Sequence, residues 1–535
     1  MPVGPVIDIT QEEIAALLER IKGSVSREDF DTIEGLALTV AKLSQLLQDK
    51  DLSIRRLRDL LFGASTEKTQ NITGKPPEGA ADAAAATGSE GTPRAKRKGH
   101  GRNGADRYTG AKKVLVHHPT LHAGDRCPGC HKGSLYHADP GRLVRVKAQP
   151  PLSATVTEQE KLRCSSCGTV FSAELPAEVG EEKYDATAVS MLALLKYLLG
   201  LPFYRIARMQ ASLGVPVARA TQWDLLQGLV DQCALAAYNE LVRQAAQGDV
   251  VHNDDTAAKI LELLKEPSAG EGTERDRGRT GIFTTAIIST RDGRQIAVYF
   301  TDGHHAGESL SELLAKRRAD LEIPIQMCDA LSRNQPSGFA TLLANCLTHG
   351  RRRFYELATC FPAESRYVLL QLAQVYRNDE VCKELGMSPA QRLAFHQAES
   401  GPVMDDLKKW LTSRLEEKIV EPNSRLGKAI RYMLKHWQPL TLFLRVENAP
   451  LDNNIAERAL KLVILNRKNS LFFKTQNGAF VGDVLMSLIQ TCNLCGANPF
   501  DYFNALQNHA RRVRENPSDW MPWNYAASLA ALDTS

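Results

Sequence analysis

Several things are missing from this chain of 535 residues. No apolar run looks long enough to span a bilayer, and no charged stretch followed by an apolar one opens the sequence. A membrane anchor and a secretory route are therefore not expected. No Gly-x-x-x-x-Gly-Lys-Ser/Thr loop is present to cradle nucleotide phosphates, which disfavours a helicase or an ATPase. A dominant charge of one sign is lacking too. The 66 Lys and Arg stand against 62 Asp and Glu, a net +4, so the placement of charge has to be read instead of its sum. The 11 cysteines do not form the framework of a small secreted domain. They are expected to be reduced, with some holding metal, in a cytoplasmic protein. The length allows several domains, each with its own core.

Residues 1–68 read as N-terminal helices. The first, over 10–22, opens with Thr10 and Glu13 at capping-box spacing. In the second, Ile33, Leu36, Val40, Leu43, Leu47, Ile54, Leu57 and Leu61 fall at alternating steps of three and four, with Lys50 in the one missed slot. About four such heptads argue for a coiled coil and a homo-oligomer, against a helix packed on its own core. Residues 69–113 lose this periodicity and read as a disordered linker. Its far end turns basic around Arg97 and Lys98, cations suited to tracking phosphates.

In 114–183, Cys127-Pro128-Gly129-Cys130 and Cys164-Ser165-Ser166-Cys167 form paired knuckles. Four thiolates spaced in this way suit one structural Zn²⁺, without which so polar a segment has little to hold it together. The lone pair Cys492 and Cys495 lies on an apolar helix and reads as core thiols. Residues 184–248 read as helices over 186–199, 204–213 and 218–229, with Gly214-Val215-Pro216-Val217 as the turn between the last two. That is a helix-turn-helix pattern, in which Arg219, Thr221 and Gln222 open the helix that would meet bases or phosphates. An ordinary helical hairpin fits the same pattern.

From residue 249 the pattern turns to strands. Runs at 282–289 and 295–300 are joined by Asp292-Gly293, a hairpin signal. A helix over 306–318, strands over 323–328 and 342–346, and a helix carrying His349, Arg351, Arg352 and Arg353 follow. Three strands, a helix and a strand ending in an aspartate is a ribonuclease-H-like order. Residues 362–447 interrupt this core of 249–361 and 448–479 with helical sequence, and 480–535 close the chain as helices. The fold expected is multidomain α+β: a ribonuclease-H-like α/β core with a helical insertion, preceded by a coiled-coil helix, a zinc-binding unit and a helix-turn-helix. Asp254 and Asp329 end short strand-like runs, and Glu457 lies on a helix that is otherwise apolar or basic. Two aspartates and a glutamate on two strands and a helix are what a two-metal phosphoryl-transfer site needs. A capping box between Asn454 and Glu457 is the competing reading of the third.

His252-Asn253-Asp254-Asp255-Thr256 resembles the first-aspartate motif of insertion sequence 66 family transposases, usually His-x-Asp-Glu-Thr. Cys346-Leu347-Thr348-His349 with Arg351-Arg352-Arg353-Phe354 resembles their Cys-x-x-His block. Asp452-Asn453-Asn454 through Glu457-Arg458, then Asn466-Arg467-Lys468-Asn469, resembles their glutamate block. The motifs come in family order along nearly the whole chain. The resemblance implies a DDE transposase, a polynucleotidyl transferase acting on the double-stranded DNA of element ends and target. It also implies a bacterial, nucleoid-associated location and companion proteins of the element as possible partners.

On that footing Asp254 would hold both of two Mg²⁺ (or Mn²⁺) ions, and Asp329 and Glu457 would each complete one side. His349 would contact the scissile phosphate or orient a carboxylate. Arg352, Arg353, Arg458, Arg467 and Lys468 would hold DNA backbone. Asp255 departs from the family's glutamate. Adjacent strand residues face opposite sides, so one of Asp254 and Asp255 points at the metals, and motif register selects Asp254. Two rivals remain: a ribonuclease-H-like nuclease or resolvase that cuts without joining, and a non-catalytic, transposase-derived DNA-binding protein.

Overall fold

The computed structural model describes residues 11–22, 25–27, 30–35, 115, 119–128, 130–137, 151–163, 170–174, 176, 182–264 and 281–533. The heptad seam beyond Ile33, the basic linker with Arg97 and Lys98, and the knuckle of Cys164 and Cys167 lie outside these residues. Contacts divide the chain into a unit of residues 77–153 and a larger unit built from 1–76 and 154–535.

In the larger unit, α1 (Gln11–Ile21) is followed by a short antiparallel ribbon, β1 (Lys161–Arg163) with β2 (Val170–Ser172). Asp185 caps α2 (Ala186–Ala193) by accepting the Ala188 N–H at 2.9 Å, and a π-helical turn extends that helix to Leu198. α3 (Phe203–Ser212), α4 (Arg219–Leu229) and α5 (Leu235–Ala245) follow. These helices, expected as a separate domain, pack into the same unit as the sheet. Ser190 Oγ donates to Asn504 Oδ1 at 2.7 Å, and Tyr238 Oη donates to the Tyr299 carbonyl at 3.1 Å.

The sheet comprises β3 (Val250–Ala258), β4 (Ile282–Arg291), β5 (Arg294–Asp302), β6 (Ile325–Cys328) and β7 (Leu342–Asn345), in the order β5-β4-β3-β6-β7. β3, β4 and β5 are antiparallel, and β6 and β7 run parallel to β3. The β4–β5 turn puts Asp292 and Gly293 at φ 50 and 74, as a tight two-residue hairpin requires. The crossover from β5 to β6 runs through α6 (Ala306–Leu314), which stops four residues short of the expected end, and β6 starts two residues later than expected.

After β7 come α7 (Leu347–Tyr355) and the helical insertion, with α8 (Pro362–Glu384), α9 (Pro389–Phe395), α10 (Gly401–Glu416) and α11 (Arg425–Lys435). Val368, Leu372, Met404, Leu407 and Met433 of the insertion close over Phe354 of α7 in one apolar cluster. α12 (Asn454–Ser470), α13 (Gln476–Cys495) and α14 (Pro499–Asn508) return to the sheet. In the closing helices expected over 480–535 there is a break at His509, whose ring stacks on Trp520.

By length and composition alone, α13 is apolar enough to cross a bilayer, contrary to the reading of the sequence. It is a core helix, and it carries a polar stripe. Asp483, Ser487 and Thr491 are spaced four apart, about 6 Å along a helix, and the N–H groups of Thr301, Tyr299 and Ala297 are spaced two apart, about 6.6 Å along a strand. The two rises are close enough to pair. Thr301 N–H donates to Asp483 at 2.7 Å, Tyr299 N–H to Ser487 at 2.9 Å and Ala297 N–H to Thr491 at 3.0 Å. β5 is the sheet's outer strand, and α13 takes up its outward N–H groups, closing an edge that would otherwise invite pairing.

Candidate active site

The site begins with strand register. Val250, Val251 and His252 of β3 sit beside Ile325, Gln326 and Met327 of β6 in parallel. Continuing that register by two residues sets Asp254 beside Asp329, and parallel neighbours in register point to the same face. Burial raises the Asp254 carboxyl to about 7, and the charges of Asp329, Asp255 and Glu457 push in the same direction. The Asp255 N–H, donated to Asp254 Oδ1 at 2.9 Å, opposes them. Three carboxylates from β3, the end of β6 and α12 thus share one electrostatic neighbourhood. Asp329 is held by the Leu331 N–H at 3.1 Å and by the Asn334 side chain.

α12 is locked to β3 by a residue the sequence reading passed over. Asn453 is fully buried, donates from Nδ2 to the Asn253 carbonyl at 3.1 Å and pairs through Oδ1 with His252 Nδ1 at 3.1 Å. Its N–H donates to Cys346 Sγ at 3.3 Å. Burial holds the His252 ring down to about 4, so it is neutral near pH 7. Asn453, not Asn454, precedes the first turn of α12, and no side chain caps that end. Asn454 donates to Asp452 instead. Glu457 forms no capping box: its Oε1 is buried without a partner, 3.8 Å from His349 Nε2. A second missed residue is Asn334, whose carbonyl accepts from both Asn253 and Gln326 beneath Asp329. Asn453 stands inside the glutamate block, but its partner Asn253 lies two hundred residues upstream, and no pattern in the sequence tells that either asparagine is a tie between elements.

Asp255 faces the other side of β3. One oxygen meets His305 Nδ1 at 3.2 Å and the Ala306 N–H at the start of α6, and the other meets Arg333 at 3.2 Å. It ties β3 to a helix N-terminus, where negative charge is favourable.

The candidate DNA-contacting residues divide. Arg219, Arg353, Arg458 and Lys468 are exposed, Thr221 and Arg352 half-buried, and the Arg353 guanidinium lies 4.0 Å over the Tyr432 ring. Arg467, expected to hold DNA backbone, is spent within the protein on Thr256 Oγ1 at 2.9 Å and the Ala257 carbonyl. Gln222, expected to face bases, is fully buried and donates to the Val217 carbonyl at 3.0 Å. It stabilises the turn before α4 and is not available to a ligand. A different surface is exposed on α3, where Tyr204, Arg205 and Arg208 are open and Arg205 Nη1 reaches Asn469 Oδ1 at 3.5 Å.

In the unit of residues 77–153, Cys127 and Cys130 sit on a tight turn. Cys127 N–H donates to the Gly133 carbonyl and His131 N–H to the Cys127 carbonyl, both at 2.8 Å. The N–H groups of Gly133 and Lys132 and the Cys127 side chain lower the Cys130 thiol below its usual range. N–H groups aimed at a sulfur favour its thiolate, the form that binds metal.

A family model described as Transposase IS66 family matches residues 182–480. The chain is also similar to three proteins of Sinorhizobium fredii (strain NBRC 101917 / NGR234), all named as uncharacterized. It is 25% identical to y4jD over 526 residues, 92% of this chain and 98% of that one. It is 26% identical to y4hP over 403 residues, 70% and 68% of the two chains, and 26% identical to y4qI over 413 residues, 72% and 71%.

Proposed function

The chain belongs to the IS66 family of transposases, and from that premise we propose that it cleaves DNA at the ends of an insertion sequence and joins them to target DNA at one DDE site. The observation that carries the proposal is the convergence of Asp254, Asp329 and Glu457, with the Asp254 carboxyl raised to about 7 by burial and by like charges. Such a cluster is unfavourable by itself and suits hard divalent cations, which prefer oxygen ligands. The partnerless Glu457 Oε1 fits the same role.

Asp254, Asp329 and Glu457 would hold the Mg²⁺ (or Mn²⁺) ions, whose chemistry is to activate water or a 3′-hydroxyl and to stabilise the leaving oxygen. His349 faces Glu457 and orients it. The strand order, three antiparallel strands with two parallel ones beyond β3, supports a ribonuclease-H-like core. Arg353, Arg458 and Lys468 hold DNA backbone, and Arg219 and the exposed Tyr204, Arg205 and Arg208 of α3 add further contacts. The location is the bacterial cytoplasm, at the nucleoid.

The test is a strand-transfer assay with the element's own ends, Mg²⁺ and a supercoiled target. Joined products are expected. Cut ends without joining would favour the nuclease reading, and neither product would favour the DNA-binding protein without catalysis.

Two further parts of the proposal have their own tests. Four thiolates, Cys127, Cys130, Cys164 and Cys167, bind about one structural Zn²⁺ per chain. Cys127→Ser is expected to lose it on elemental analysis of protein purified without chelator. Unchanged zinc content would remove the assignment. Self-association through the heptad seam brings two DNA ends together. Removal of residues 1–62 is expected to lower the mass seen in sedimentation while the near-ultraviolet dichroism of the catalytic core persists. An unchanged mass would place the interface elsewhere.

A further inference from the structure

We propose that Cys346, His349 and Glu457 form a thiophilic cation site that takes Zn²⁺ and shares Glu457 with the magnesium site proposed above. The donor atoms of the three residues all lie within 4.8 Å of one another. Around a tetrahedral Zn²⁺, with bonds of about 2.0–2.3 Å, ligand atoms stand about 3.3–3.8 Å apart, so the cluster needs to close by about 1.5 Å at most. His349 Nε2 and Glu457 Oε1 are already 3.8 Å apart.

The backbone prepares this arrangement. Cys346 is the residue before the first turn of α7, and His349 follows three residues later, the spacing that sets two side chains on one side of a helix. Glu457 enters from the first turn of α12, and the Asn453 N–H that fixes this turn donates to Cys346 Sγ at 3.3 Å. His349 Nδ1 and Glu457 Oε1 are buried polar atoms with no partner. A carboxylate oxygen left without a hydrogen bond beside a buried sulfur and an imidazole is uncommon in a folded protein.

The donor set selects the ligand. Sulfur, imidazole and one carboxylate oxygen suit Zn²⁺, and Mg²⁺ takes oxygen ligands with water. A cation bound here displaces the thiol proton of Cys346, as thiolate ligands require, so binding strengthens as pH rises. Zn²⁺ held here withdraws Glu457 from the magnesium ligands, so the site acts as an inhibitory one. Only this last consequence rests on the proposed function; the binding itself does not.

Co²⁺ is the probe, added to the full-length protein already saturated with Zn²⁺ at its knuckles. The expected result is a near-ultraviolet sulfur-to-cobalt charge-transfer band with tetrahedral bands in the visible. Cys346→Ser is expected to lose the charge-transfer band, and His349→Ala to weaken binding by about tenfold or more. Cys328→Ser, which removes a neighbouring buried thiol outside the cluster, keeps the band. Identical spectra from the unsubstituted protein and from folded Cys346→Ser overturn the site. If Cys346→Ser fails to fold, unchanged affinity in His349→Ala overturns it instead. Asp254→Ala keeps the cobalt spectrum whatever its activity, so loss of the transposase reading and loss of this site are told apart.

Discussion

Asp254→Ala is expected to lose end cleavage and strand transfer together, by on the order of 10³-fold or more, as when one member of an interdependent catalytic unit is removed. Asp329→Ala and Glu457→Ala should each do the same, and the double variants should be no worse than the singles. The reason is cooperative: one ligand lost already disables the pair of ions. DNA binding measured by gel shift should persist or rise slightly, because a negative charge has gone. Folding should persist too, since Asp254 is a desolvated carboxyl beside like charges and its removal relieves the metal-free protein. Mn²⁺ should replace Mg²⁺, and Ca²⁺ should support binding with little chemistry, its looser coordination fitting the in-line reaction poorly.

The comparison with Asp255 is the sharpest part. Asp255→Ala breaks the contacts to His305, Arg333 and the start of α6, so it should lower the midpoint of thermal unfolding while keeping cleavage at a temperature where the protein is folded. Asp255→Asn should be milder. An inactive but stable Asp255→Ala, next to an active Asp254→Ala, would sink the assignment. A fully active Glu457→Ala would place the third ligand elsewhere.

The aspartates stood out in the sequence because a carboxylate closing a short strand-like run is a local pattern, but β3 continues four residues past Asp254, so that Asp254 lies within the strand and only Asp329 follows the end of one. Glu457 was ambiguous for a physical reason. Asn454 stands at the spacing of a capping box, and only the fold shows that Asn453 is drawn under β3, moving the helix start by one residue. Gln222 was misread because a polar residue near the start of an exposed helix looks like a surface group. Its amide is consumed by Val217, five residues away. Arg467 and Asn453 were beyond reach, since their partners lie about two hundred residues upstream and no periodicity encodes that distance. The polar stripe of α13 went unseen for a similar reason. Asp483, Ser487 and Thr491 interrupt a helix whose apolar character dominates, and their meaning depends on β5.

That stripe carries the largest stability effect expected outside the site. Asp483 accepts both the N–H and the Oγ1 hydroxyl of Thr301, each at 2.7 Å, in a fully buried place. Asp483→Ala orphans the Thr301 N–H, while the Thr301 hydroxyl keeps Thr284 Oγ1 at 2.8 Å, and is expected to cost about 2–3 kcal/mol in urea denaturation, within the range of about 1–3 kcal/mol for one buried group left unpaired. Ser487→Ala and Thr491→Val each orphan one N–H of β5, for about 1–2 kcal/mol. Asp483→Asn keeps one acceptor, its amide oxygen, for the Thr301 N–H and can turn its amide N–H to the Thr301 hydroxyl oxygen, so it should cost less than Asp483→Ala.

The asparagine variant also has a distinct pH signature. Burial holds the Asp483 carboxyl up at about 7, against the pull of Thr301, whereas in the unfolded chain it titrates near 3.9. Between those values the folded protein keeps a proton that the unfolded chain releases. Raising the pH therefore favours unfolding, and this share of stability is complete below about 4 and gone above about 7. The slope it contributes is at most about 1.4 kcal/mol per pH unit. Asp483→Asn removes that slope, so its stability relative to the unsubstituted protein should improve steadily from pH 4 to pH 7 and level off above. A difference that stays flat across this range would mean that Asp483 is ionised in the fold at all of these pH values and that α13 covers the sheet edge with a charge.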